Sequence, residues 1–121
     1  MRPLIYIAGP YRADDCIARD ANVTVASKYG LHFARRGWCP VVPHALTHKM
    51  DQLDIERDIS EGDWLAITLA IGLRCDVAFF VPGWEESEGA QAEYVAFREA
   101  GIRCYMEDPA RVPPAVKFVK D

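Results

Sequence analysis

"DVAFFVPGWEESEGAQAE", residues 76–93, changes character three times in eighteen positions. Asp76–Val81 is aliphatic and aromatic, the composition of a strand buried on both faces of a sheet. Pro82-Gly83 breaks it. From Ser87 the residues become small and helix-forming, and the predicted helix runs Ser87–Ala100 with Gly101 as its stop. Strand, loop and helix in this order form the repeating unit of a parallel sheet. The unit recurs on both sides. Leu4–Ala8 (LIYIA) predicts a buried strand ended by Gly9-Pro10, and Asn22–Arg36 a helix with Val25, Tyr29 and Phe33 on one face. Residues 38–43 (WCPVVP) predict a second strand, Trp64–Leu73 a further helix and Ile102–Tyr105 a last strand. Residues 44–62 are polar and read as loop plus a short helix near Ile55–Glu61, and Ala115–Val119 as a final turn. Alternating strands and helices imply parallel pairing through right-handed crossovers. The predicted fold class is therefore α/β, a sandwich around a four- or five-stranded parallel sheet, in a single domain over residues 1–121.

Composition narrows the function. A chain of 121 residues is long enough for one core, and a net charge of −4 argues against polymeric nucleic acid as a partner. One or two local donors suffice for a single nucleotide. No apolar run reaches spanning length and the N-terminus lacks the pattern of a secretory leader, so no membrane association is expected. Cys16, Cys39, Cys75 and Cys104 are scattered without a CxxC pair, which favours a reduced, cytoplasmic setting. His44 and His48 have a spacing that meets a metal on a helix, but no third ligand stands out and no metal site is expected.

Ligands of parallel sheets sit outside the carboxyl ends of the strands. That directs attention to Gly9–Arg12, Pro43–His48 and Pro82–Gly89. The last leads into four glutamates with different prospects. Glu85 and Glu86 fall in a loop, and Glu88 falls in a first helical turn capped by Ser87, where the helix dipole favours negative charge. Glu93 is different. Its helical neighbours are Gly89, Ala90, Ala96 and Phe97, a small apolar face that presses on the sheet. A carboxylate there costs several kcal/mol unless paired, so either Tyr6 or Arg12 satisfies it for packing alone, or it serves chemistry beside the notch left by Gly89. Tyr6 has a phenol to donate, Gly9 permits close backbone approach, and Arg12 can reach anionic oxygens. Ser87 and Gly89 with the free helix-start amides form an anion-friendly corner.

"YIAGPYR" (6–12), "PH" (43–44) and "CDVAFFVPGWEESEGAQAE" (75–93) together resemble the nucleoside 2-deoxyribosyltransferase superfamily, which includes N-glycosidases of nucleoside 5′-monophosphates. The likeness runs in order along nearly the whole chain, and 75–93 is its specific part. It implies a flavodoxin-like three-layer fold, a homodimer or higher homo-oligomer, and cleavage of the bond between base and sugar. It makes Glu93 the nucleophile that forms a covalent glycosyl-enzyme and Tyr6 its orienter. Arg12, Ser87 and Gly89 become phosphate contacts, and His44 a pocket wall. No cofactor is called for, because a carboxylate supplies the covalent step. The family's second acid stands about two helical turns before the "CD"; here that position is Thr68. Asp63 or Asp58 is left for the role, and Asp63 is preferred. The expected function is N-glycosidic hydrolysis or transfer on a (deoxy)nucleoside or its 5′-monophosphate. The alternative is a nucleotide-binding module of the same fold that has lost turnover.

Overall fold

The computed structural model describes residues 1–118. Four strands, β1 (Leu4–Ala8), β2 (Cys39–Val41), β3 (Val77–Phe80) and β4 (Arg103–Met106), form one sheet in the order β2-β1-β3-β4. All three pairings are parallel. The helices are α1 (Cys16–Ala34), α2 (Pro43–Leu53), α3 (Glu61–Gly72) and α4 (Glu88–Glu99). The architecture is the three-layer, flavodoxin-like α/β sandwich, with four strands.

Side-chain parity along β1 and β3 builds the layers. Ile5, Ile7, Val77, Phe79 and Val81 face α1, where they meet Ala26 and Phe33 together with Trp38 and Val112. Tyr6, Ala8, Ala78 and Phe80 face the opposite way, toward Phe97 of α4 and Leu69 of α3. Each large apolar side chain removed from water contributes about 1.5–3 kcal/mol, and these two clusters hold most of them. Asp76 fixes the start of the β1–β3 pairing, since its carboxylate accepts the Leu4 amide at 2.8 Å while its own amide donates to the Leu4 carbonyl.

The order of strands reverses direction at β1. The chain leaves β1 for β2 on one side and, after α2 and α3, returns as β3 on the other. The crevice between the carboxyl ends of β1 and β3 is therefore a topological switch point.

Local chemistry moves several boundaries. Asp15 accepts the Ala18 amide at 2.7 Å, so α1 starts at Cys16, six residues before the expected Asn22. The expected loop at Pro43–His48 is helix. Val42 is the N-cap and Pro43 takes the first helical position, where its missing N–H costs nothing. The short helix expected near Ile55–Glu61 is instead a turn, because the Asp54 carboxylate accepts the amides of Asp58 and Ile59 at 3.0 Å each. Ser60 then caps α3, three residues earlier than expected. A short 3-10 turn covers Ala115–Lys117; Val119 lies outside the described residues.

Candidate functional site

A cavity of about 530 Å³ opens at the switch point. The turn after β1 forms one wall, α2 and α3 the second, and the loop into α4 the third. Tyr6 lies behind it by strand parity, since an even-numbered β1 residue projects to the α3–α4 side. Glu93 reaches it by helical spacing, on the buried face that α4 makes with Ala90 and Phe97. Ser87 starts that helix by accepting the Ala90 amide at 3.2 Å.

Tyr6 and Glu93 meet in the interior: the tyrosine hydroxyl donates to Glu93 Oε2. Tyr6 is fully buried and Glu93 is 2% exposed. Burial raises the Glu93 pKa from 4.5 to about 7, and the bonds from Tyr6 and the Thr68 hydroxyl draw it partway back. The Tyr6 phenol is itself raised well above its ordinary value, chiefly by burial and then by the Glu93 charge. Glu93 is thus divided between protonated and ionised forms near neutrality. The charged residue singled out from its sequence neighbours is the one that is buried.

A second polar cluster forms the α2 side. Asp51, 2% exposed, accepts the Tyr11 hydroxyl at 2.6 Å and both Arg12 nitrogens Nη1 and Nη2 at 3.2 Å. Arg57 Nη1 adds a third donor at 3.0 Å. Burial raises the Asp51 pKa, but these hydrogen bonds and charges outweigh it, and the net shift is downward. Asp51 is a permanent carboxylate that aims Arg12. The Tyr11 hydrogen is committed to it, so His48 Nδ1 donates to the Tyr11 oxygen at 2.9 Å. His44 stacks on Tyr11 with ring centroids 5.0 Å apart, and its Nε2 lies 2.9 Å from the Gly9 carbonyl. A carbonyl only accepts, so Nε2 carries the proton. Burial lowers the His44 pKa and outweighs that bond, which leaves a neutral ring with Nδ1 as a free acceptor.

Gly9, Arg12, His44, Ser87, Gly89 and Glu93 all line the cavity, with Tyr6 behind Glu93. Asp63 is not brought there. It is exposed, accepting the Ser60 amide at 3.1 Å while Ser60 Oγ accepts its own at 3.0 Å, the reciprocal capping box of α3. Asp58 is likewise exposed and outside the lining. Thr68 occupies the space beside Glu93, 6% exposed and hydrogen-bonded to the Leu65 carbonyl at 3.1 Å. Gly9 has a packing reason as well: a Cβ there would stand 2.3 Å from Val81 Cγ2. At Gly89 a Cβ would meet only Ser87 Oγ, at 3.9 Å, so the notch is open space.

Sequence reasoning missed Asp51, Tyr11, Thr47 and Trp64. Tyr11 stood in the quoted strand-end motif, and Asp51 follows His44 and Thr47 at helical spacing, a signal hidden while 44–54 was read as loop. Trp64 lines the cavity with a buried indole N–H that has no protein partner. His44 and His48 are engaged separately, and among the described residues no three His, Cys, Asp or Glu side chains are arranged to hold a metal. Nor, among them, is any helix long and apolar enough to cross a membrane.

The family model of a domain of unknown function, DUF7768, matches residues 3–106. The chain belongs to that family. The match ends with the last residue of β4, so it takes in the whole sheet, all four helices and every residue of the Tyr6–Glu93 and Asp51 clusters. No curated protein matches the chain.

Proposed function

We propose that the protein is an N-glycosidic bond hydrolase or transferase acting on a (deoxy)nucleoside or its 5′-monophosphate. The observation that carries the reading is a buried carboxylate, Glu93, hydrogen-bonded to Tyr6 in a cavity at the switch point of a parallel sheet. A carboxylate oriented by a phenol donor at the edge of a cavity is suited to attack an anomeric carbon. One carboxyl oxygen forms the bond to carbon as the bond to the base nitrogen breaks, and water or a second base then releases the sugar. Tyr6 positions the oxygen that does not attack. Ser87, Gly89 and the start of α4 take the 5′ end of the ligand, with Arg12 presented to the same anionic oxygens by Asp51. No cofactor is needed for that sequence of steps. The domain is read as one nucleoside 2-deoxyribosyltransferase-like unit over 1–121.

The test is release of free base from a panel of nucleosides and 5′-monophosphates, followed by chromatography. Glu93→Ala abolishes release if the reading is right. Release that persists in that variant refutes the nucleophile.

Thr68 favours the second reading, a binding module without turnover. It occupies the sequence position at which the resembled family carries its acid, and neither Asp63 nor Asp58 lines the cavity. Stoichiometric nucleotide binding with no base released from any substrate selects this reading over the first.

All four cysteines are free thiols, which supports a cytoplasmic setting. Self-association is supported by α2, which turns Leu46, Met50 and Leu53 outward as one exposed stripe at helical spacing.

A further inference from the structure

Beyond Arg12 lies a second cavity of about 520 Å³, lined by Arg12, Arg19, Arg57, Asp14, Ser60 and Glu61. Arg12 and Glu61 line the main cavity as well, and their side chains approach at 3.7 Å (Arg12 Nε to Glu61 Oε1). That loose pair is the partition between the two spaces. Glu61 is largely in water, with its side chain 81% exposed, so it neutralises little inside.

Three guanidinium groups face three carboxylates here, and of those carboxylates only Asp51 is buried. Arg12 and Arg57 share the buried carboxylate of Asp51, and Arg12 also approaches the exposed Glu61. Arg19 is the third guanidinium. Its Nη1 donates to the Ala13 carbonyl at 3.0 Å, but its Nε is buried with no hydrogen-bond partner. A buried guanidinium N–H without a protein partner is open to a water or an anion as its acceptor. Arg57 reaches the wall from a backbone at φ +58°, the left-handed region that non-glycine residues adopt infrequently, and its Nη1 donates to Asp51. Asp14 is the other acid on the wall, and it is exposed. The N-terminus of α3 opens on the same space through its cap, Ser60.

We propose that this second cavity is an anion subsite that takes the phosphate groups following the first on a nucleoside di- or triphosphate. The proposal rests on the reading of the main cavity as a nucleotide site, and it names the polyphosphate class as the better ligand. The first phosphate lies at Ser87, Gly89 and Arg12; the next ones pass the Arg12–Glu61 partition and meet Arg19 and Arg57. Guanidinium forks match phosphate oxygens in pairs, so three of them around one cavity select a chain of phosphates over a single one.

Calorimetric titration tests this with the full chain at a fixed ionic strength of about 0.15 M, where long-range attraction is screened. Inorganic triphosphate, inorganic phosphate, and a nucleoside monophosphate with its triphosphate are the probes. The triphosphates bind at least about tenfold more tightly than their single-phosphate counterparts, and R19Q and R57Q each remove about fivefold or more of that preference. R74Q, an equal charge change on an arginine outside both cavities, leaves the preference in place. If Arg19→Gln does not fold by circular dichroism, Arg19→Lys keeps the charge but not the fork and gives a smaller loss in the same direction. Equal affinity for single phosphates and triphosphates overturns the proposal, as does an R74Q loss as large as that of R19Q. Base release separates the two readings. Triphosphate binding that depends on Arg19 without base release from any nucleotide keeps the subsite and removes the glycosidase. Base release with no triphosphate preference does the reverse.

Discussion

Glu93→Gln should make the protein more stable at pH 8 while destroying its chemistry. The substitution keeps size and shape, and the amide oxygen still accepts the Tyr6 hydroxyl, but the group no longer ionises. In the wild-type fold burial raises the Glu93 pKa from 4.5 to about 7. A raised folded-state pKa means the fold favours the protonated acid. Its contribution is fully present below pH 4.5, is lost as pH rises from there through 7, and stays lost above. At about 1.4 kcal/mol per tenfold change in proton affinity, the gap amounts to about 3 kcal/mol. For a chain of 121 residues that is roughly 10 °C in Tm. Paired thermal melts of wild type and Glu93→Gln from pH 4.5 to 9 read it directly. The two curves lie together at the acid end and separate by up to about 10 °C above pH 7, with the variant higher. A separation that does not depend on pH, or a variant that melts lower at pH 8, refutes the claim that an ionised Glu93 is held against its solvation cost.

The same ionisation sets the rate. If Glu93 attacks as a carboxylate, kcat/KM for base release climbs about tenfold per pH unit below 7 and levels above it; a flat acid limb excludes that role. The two cavity glycines part company. Gly9→Ala drives a methyl to 2.3 Å from Val81 Cγ2 and costs about 1–3 kcal/mol in denaturant melts. Gly89→Ala meets only Ser87 Oγ at 3.9 Å, so stability holds or rises by about 0.5 kcal/mol while nucleotide affinity measured by titration falls. Asp51→Asn loses about 2–3 kcal/mol at pH 7, because two guanidinium groups lose their counter-charge and the new amide NH2 faces donors where an oxygen accepted. Its effect fades in acid: the Asp51 pKa is lowered in the fold, so its contribution is present above the ordinary carboxylate range and lost as pH falls through the folded value.

Strands and the α4 site were legible because each obeys a local rule. VAFF is apolar at every position, as a strand covered on both faces must be, and all four residues are buried. Glu93 was readable because it breaks the rule its helix follows. What stayed hidden was α2, and the reason is an inverted pattern. Its inward residues are Thr47 and Asp51, which are polar and face the cavity, and its outward stripe is Leu46, Met50 and Leu53. A reading that assigns apolar residues to the interior finds no helix there. The loss of α2 then hid Asp51, and with it the reason Arg12 points where it does. Asp63 failed differently. Sequence position placed an acid near the right helix, but the N3 position of a capping box fixes its carboxylate outward on the backbone amide of Ser60. Helix caps and catalytic acids draw on the same residue types, and only the location of the helix start separates them.

The two buried carboxylates explain one another. Both line one cavity, both are 2% exposed, and their proton affinities are pushed in opposite directions. Asp51 has three donors of which two are cations, so its charge is permanent and its work is to hold Arg12 and Tyr11 still. Among the described residues Glu93 is held by the Tyr6 hydroxyl, with the Thr68 hydroxyl beside it, and neither brings a charge. A fold selecting for stability alone would pair Glu93 with a cation or replace it with an apolar residue. Instead Arg12 is claimed by Asp51 and Glu93 is left with donors that orient it without neutralising it. That division is the arrangement expected where one acid must stay charged to bind and the other must be free to react.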